Sequence, residues 1–180
     1  MLGPYRRSTL YASRMPNQPS NRRISIDTAT PDDTPLILDL IRELAEYERE
    51  PESAQATASQ IHAALFGDRP AAEAVIARLD GEPVGWAVWF QTFSTWTGKP
   101  GLWLEDLFVR PAYRRAGVGK ALLVYLAQVC VERDYGRFEW SVLDWNEPAL
   151  EFYRSLGAVG MDEWTIHRVT GEALQRLAGQ

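Results

Sequence analysis

The stretch from Arg110 to Lys120 reads Arg-Pro-Ala-Tyr-Arg-Arg-Ala-Gly-Val-Gly-Lys. An apolar run, Leu102 to Val109, precedes it and reads as a buried strand. Arg110-Pro111 ends that strand, because proline cannot donate to a sheet ladder. From Lys120 to Val131 apolar residues recur at helical spacing. The order is therefore strand, glycine-bearing loop, helix N-terminus. The first turn of a helix leaves backbone N–H groups unpaired, and the helix dipole adds partial positive charge there. Glycine lets a phosphate come close to the backbone. Arg114, Arg115 and Lys120 bring full charges nearby. Arg-x-x-Gly-x-Gly is neither the Walker spacing nor the dinucleotide fingerprint, and alone it also fits an ordinary loop and helix start. Glu105 is a second candidate, because a carboxylate in an otherwise apolar strand is costly unless it has a partner. It also fits a carboxylate on an exposed strand face. Strand alternation turns its neighbour Asp106 to the opposite face, as a structural or rim residue.

The elements that must position these residues are read from periodicity. Ile24, Ile26 and Thr28 alternate with polar residues as a first strand. Asp32, Asp33 and Thr34 start a helix whose apolar face is Leu36, Ile37, Leu40, Ile41 and Leu44, ending near Glu48. Thr57 and Gln60 fit a capping box for a short helix that Gly67 stops. Ala74 to Leu79 and Val84 to Phe93 read as a hairpin around Asp80-Gly81-Glu82-Pro83. Thr95 to Gly101 reads as a loop before the central strand. After the long helix, Arg137 to Leu143 reads as a strand. Glu147-Pro148 opens a helix through Phe152 and Tyr153 that Gly157 closes. Val159 to Val169 reads as one or two closing strands, and Glu172 to Ala178 as a terminal helix. The sum is an α/β fold.

Composition narrows the function. The chain has 180 residues, 46% hydrophobic and 24% charged, which describes a soluble globular protein with a real core. A net charge of −5 argues against a nucleic-acid partner and accepts cationic small molecules. No apolar run reaches membrane-spanning length. The single cysteine, Cys130, lies on an apolar helix face and reads as core rather than nucleophile. His62 and His167 are far apart, so no metal site is expected. Residues 1–23, rich in Arg, Ser, Asn and Pro, read as a disordered extension or an over-extended start upstream of Met15. They lack the apolar core of a secretory signal, and a cytoplasmic location is expected.

The motifs occur together: Ile41-Arg42-Glu43-Leu44-Ala45-Glu46-Tyr47-Glu48, Leu104-Glu105-Asp106-Leu107-Phe108-Val109, Tyr113-Arg114, Gly117-Val118-Gly119, Trp145-Asn146-Glu147-Pro148 and Phe152-Tyr153. Over roughly Ile24 to Leu177 this combination resembles the GNAT superfamily of acyl-CoA-dependent N-acetyltransferases. It is most similar to the diamine branch, the spermidine/spermine and thialysine acetyltransferases. The resemblance implies one domain over residues 24–180, with a mixed, mainly antiparallel twisted sheet flanked by helices. It implies acetyl-CoA as co-substrate. The pyrophosphate would lie on the amides of Arg115, Ala116, Gly117, Val118, Gly119 and Lys120, with Arg114 beside them. The pantetheine arm would lie on the backbone of Leu107, Phe108 and Val109. Asn146, Glu147, Pro148 and Ala149 would line the cofactor wall.

Tyr153 matches the family's catalytic tyrosine, a phenol able to protonate the leaving thiolate as general acid. By itself it also reads as a core aromatic beside Phe152. Glu105 matches a substrate-binding glutamate that would hold the amine and help remove its proton. Tyr47 and Glu48 match a substrate-contacting pair, and Glu139, Trp140 and Ser141 a substrate-lining strand. The chain departs from the pattern at Thr95, where an acidic residue is expected, and at Leu156, where a basic one is; Arg154 can supply that charge. With no cysteine in the motifs, acetyl transfer to a small-molecule primary amine is expected by direct attack in a ternary complex. Two alternatives stand beside it: a protein or peptide amine as acceptor, disfavoured if the Thr92 to Gly101 loop covers the site, and a silent acyl-CoA-binding module. The resemblance also implies a homodimer.

Overall fold

The computed structural model describes residues 22–180. The expectation of a disordered extension over residues 1–23 therefore lies outside the described residues except at its end, where the Arg23 amide donates to Asp80 Oδ1 at 2.8 Å and the Arg23 carbonyl accepts from the Asp80 amide at 2.9 Å. The fold divides into two compact units, one ending at Ser141 and one spanning Val142–Gln180. In the first unit five strands form one sheet in the order β1 (Ile24–Thr28), β2 (Glu73–Leu79), β3 (Glu82–Ser94), β4 (Lys99–Val109) and β5 (Phe138–Trp140). The first four are antiparallel and β5 runs parallel to β4. Its helices are α1 (Thr34–Tyr47), α2 (Ala58–Phe66) and α3 (Val118–Glu132).

Burial on both faces explains the near-continuous apolar text of β3. Trp86 and Val88 face α1, packing with Ile37, Leu40, Leu44, Ile76 and Phe108. Trp89 is three residues beyond Trp86, hence on the other face, where its ring meets Tyr125 of α3 edge-on at 6.4 Å. Leu122, Leu126 and Cys130 of α3 are buried on their helix. The reading of Cys130 as core therefore holds, and burial pushes its thiol up to about 11.

Helix ends are set by local chemistry. Thr57 Oγ1 accepts from the Gln60 amide while Gln60 Oε1 accepts from the Thr57 amide at 2.9 Å, which is the expected capping box. α1 ends in a left-handed turn at Arg49, φ +66°. There the Glu50 amide donates to the Ala45 carbonyl and the Arg49 amide to that of Glu46. This double closure locks Tyr47 and Glu48 at the helix end.

Three expectations change. The central strand starts at Lys99 rather than after Gly101, and Ser94 pairs with Lys99. Thr92 to Gly101 is thus the end of the β3–β4 hairpin, with only residues 95–98 in the turn. β5 is shorter than Arg137 to Leu143, because its pairing with β4 stops at Leu104 and Trp140. In the second unit, α4 (Glu147–Ser155) and α5 (Gly171–Ala178) form as expected, but Val159 to Val169 holds no strand. Its alternation marks a half-apolar segment, and a strand also needs a neighbour to complete its hydrogen bonds. Val159, Met161, Trp164 and Ile166 are exposed.

Gly85 tests the contact between β3 and β4. A Cβ there would lie 2.5 Å from the Phe108 carbonyl oxygen and 3.3 Å from the Val109 Cα. Backbone cannot yield cheaply, so Gly85→Ala is expected to destabilise the fold by about 2 kcal/mol, read as a lower urea midpoint at unchanged slope.

Candidate functional site

β4 is flanked by β3 on one edge and by β5 on the other only as far as Leu104. From Glu105 to Val109 no strand among the described residues pairs with that second edge. At the same point β4 carries one extra residue. Val88 pairs with Asp106 and Trp89 with Leu104, which leaves Glu105 between the pairs as a β-bulge. A slip of one residue exchanges faces. Leu104 therefore shares Trp89's face toward α3, and Asp106 shares Val88's face toward α1.

The bulge redistributes the two carboxylates. Glu105 is exposed and accepts a hydrogen bond from the Trp103 indole, Nε1 to Oε2 at 3.0 Å. Trp103 pairs with Phe90, on the α1 face. The expectation that Asp106 turns away from Glu105 fails, because a bulge interrupts the alternation that it assumed. Asp106 is the half-buried carboxylate, and its pKa is pushed up to about 6, first by burial and then by the charges of Glu105 and Glu48. Burial likewise raises Glu48 at the end of α1. The unit thus gathers Glu48, Glu105 and Asp106 beside Tyr47, an electron-rich corner suited to a cation. Sequence reading gives Asp106 as a structural or rim residue, and the structure adds that it is half-buried with a raised pKa. Its signal was the same as that of Glu105, a charge in an apolar strand.

The glycine loop has the geometry of an anion cradle. Gly117 is left-handed, φ +88°, and stands directly before α3. The first helical bond runs from the Ala121 amide to the Gly117 carbonyl at 3.0 Å. The amides of Val118, Gly119 and Lys120 therefore precede the helix ladder. Arg115 is also left-handed, φ +64°, and both Arg115 and Lys120 are exposed, while Ala116 is half-buried. The side chain of Arg114 turns back instead. Its Nε donates to the Val109 carbonyl at 3.0 Å, and its guanidinium lies 4.1 Å above the Tyr47 ring centre and 5.8 Å from that of Phe108. Arg110 closes on Glu43 through two nitrogens and donates to the Pro83 carbonyl, pinning α1 to the exit of β4.

On β5, Glu139 stands in register with Trp103 and is ion-paired to Arg137 at 2.7 Å. Trp140 tilts against Phe138 at 4.9 Å, and Ser141 follows the strand, exposed. In the second unit Asn146 caps α4, its carbonyl accepting from the amides of Ala149 and Leu150 at 3.0 Å. Pro148 occupies the first turn, where its missing donor costs nothing. Tyr153, two turns beyond Asn146, is half-buried beside Phe152, and Gly157, φ +89°, ends the helix. Glu147 reaches Arg154 at 3.8 Å on the exposed side.

Residues 37–158 match the acetyltransferase (GNAT) family. The thialysine N-epsilon-acetyltransferase of Sus scrofa is 36% identical over 155 residues, covering 80% of this chain and 91% of that protein. The L-ornithine N5-acetyltransferase of Arabidopsis thaliana is 30% identical, covering 84% and 86%. An integron cassette protein of V. cholerae superposes with a TM-score of 0.74 at 23% identity, over 87% of this chain and 98% of that one, a likeness of fold.

The raised pKa of Asp106 has a direct consequence. Between about pH 4 and pH 6 the folded protein keeps a proton on Asp106 that the unfolded chain has released. The stability from this group is complete below that window and is lost as pH rises through it. Asp106→Asn is expected to match the wild type near pH 4 and to exceed it at pH 7 by about 2 kcal/mol, measured by denaturant unfolding at both values.

Proposed function

The chain belongs to the acetyltransferase (GNAT) family and is an acyltransferase, and on that premise we propose that it moves acetyl from acetyl-CoA to a primary amine of a small, cationic molecule. The observation that carries this reading is the parting of β4 from β5 beside the Gly117 cradle. An arm carrying amide groups can add to the open edge at Leu107, Phe108 and Val109 as a further strand would. The amides of α3's first turn then meet the pyrophosphate. Arg115, Lys120 and Gly119 complete that wall, with Asn146, Glu147, Pro148 and Ala149 as the family resemblance assigns them.

In the proposed mechanism Glu105 and Asp106 hold the ammonium, and Glu105, alone or through water, takes its proton. The neutral amine attacks the thioester carbonyl. The amides at the end of β4 polarise that carbonyl. Tyr153 gives its proton to the leaving sulfur. Cys130, buried and with its thiol near 11, is no candidate to carry the acyl group, which supports direct transfer. Tyr47, Glu48, Glu139, Trp140 and Ser141 are proposed to line the acceptor side. The acidic corner supports a diamine or an amino-acid-like amine, and relatives named for thialysine and ornithine support the same class. A peptide acceptor is disfavoured only if the Thr92 to Gly101 segment covers the site, and most of that segment is paired in the β3–β4 hairpin, so peptides belong in the test.

We propose that the protein works in the cytoplasm as a homodimer. Its exposed Val159, Met161, Trp164 and Ile166 support a self-association surface. Among the described residues no helix is long and apolar enough to cross a membrane, and no group of His, Cys, Asp and Glu could hold a metal ion.

The test is free-thiol release from acetyl-CoA over putrescine, spermidine, ornithine, thialysine, lysine, aromatic amines and short peptides. Turnover on a small aliphatic amine is expected, with Tyr153→Phe lowering kcat by about a hundredfold. Release with peptides alone would replace the acceptor class, and unchanged turnover in the variant would remove Tyr153 as the acid. Because the amine seeks ionised carboxylates, its KM is expected to fall as pH rises through about 6, and to lose that inflection in Asp106→Asn.

A further inference from the structure

Two arginines leave the end of β4 four residues apart and land on two residues of α1 that are also four apart. Arg110 takes Glu43 with two nitrogens and Pro83 with the third. Arg114 takes the Tyr47 ring at 4.1 Å and the Val109 carbonyl at 3.0 Å. Positions i and i+4 lie on one helix face, so both contacts pull the same side of α1 toward the same strand end. Their chemistry differs. Arg110 has spent its donors on protein. Arg114 donates through Nε to the Val109 carbonyl, and among the described residues its two terminal nitrogens make no hydrogen bond. A guanidinium can stack on an aromatic face and still donate in its own plane.

The neighbours of these atoms matter more than the contacts alone. Val109 ends the open edge of β4, and Arg114 begins the loop into the Gly117 cradle. Tyr47 precedes Glu48, whose charge acts on Asp106 in the acidic corner. One side chain therefore touches the end of the strand edge and the helix end that carries the corner. Resting on the acetyl-CoA reading above, we propose that Arg114 is a positioning residue that couples the two ligands: coenzyme A binding holds its guanidinium, and the guanidinium holds Tyr47 and Glu48 where the amine must be met. Such coupling is reciprocal. The Tyr47 ring must then strengthen coenzyme A binding from the far side of the guanidinium, because it keeps the cation pre-aimed.

The experiment is a double-mutant cycle on coenzyme A affinity, by titration calorimetry at fixed salt, with thermal unfolding to confirm folded variants. Tyr47→Leu is expected to weaken coenzyme A by about two- to five-fold. Tyr47→Phe, which keeps the ring, is expected to stay within about twofold of the wild type. In an Arg114→Ala background Tyr47→Leu is expected to cost nothing further, since the partner is gone. Hydrogen exchange over residues 43–50 is expected to slow on adding coenzyme A to the wild type and not to Arg114→Ala. Wild-type affinity in Tyr47→Leu, losses that multiply in the double variant, or exchange indifferent to coenzyme A each overturn the coupling and leave the acetyl-transfer reading intact. Failure of the wild type to bind coenzyme A overturns that reading and the coupling with it.

Discussion

β4 keeps a strand neighbour on β5's side only through Leu104. The proposed place of the acyl donor in the first unit depends on that interruption. A sheet edge left open presents backbone donors and acceptors in a fixed row, and this one runs from Glu105 to Val109 before the chain turns into the glycine loop. The bulge at Glu105 falls where the pairing with β5 ends. It lifts one carboxylate to the surface and rotates the next toward α1. The same extra residue thus places the acids and aims the edge.

Charge is arranged around that edge in two signs. Glu48, Glu105 and Asp106 gather on the α1 side, and the resulting repulsion, added to burial, keeps a proton on Asp106 up to about pH 6. Arg110 and Arg114 stand where the strand leaves the sheet and tie it to α1. The proposed cationic acceptor and anionic donor would therefore be received on adjoining surfaces of opposite sign. The left-handed closure at Arg49 holds the helix end in place between them.

Much of this was legible in the sequence because local chemistry dictates it. Gly117 favours a left-handed entry to α3, Thr57 and Gln60 announced α2, and Gly157 announced the end of α4. The paired strands followed from apolar alternation and the Asp80-Gly81 turn. The bulge was not legible. It exists only as a register between β3 and β4, and no residue type at Glu105 demands it. The roles of Asp106 and Trp103 were hidden with it, since faces cannot be counted across an unseen extra residue. The charge of Arg114 beside the glycines is plain in the sequence, but its stacking on Tyr47 is not, because that contact spans 67 residues of chain. The missing strand at Val159 to Val169 has the same cause in reverse: the pattern is local, but the neighbour that would complete it is not.

The most direct measurement follows the backbone amides of Leu107, Val109, Val118 and Gly119 by nitrogen–proton correlation spectroscopy while coenzyme A is added. The account predicts that these signals move together and saturate at one affinity, with Gly85 and Ala87 on the β3 side nearly still. Coenzyme A that binds while Leu107 and Val109 stay unmoved would contradict the claim that the open edge of β4 receives the acyl donor.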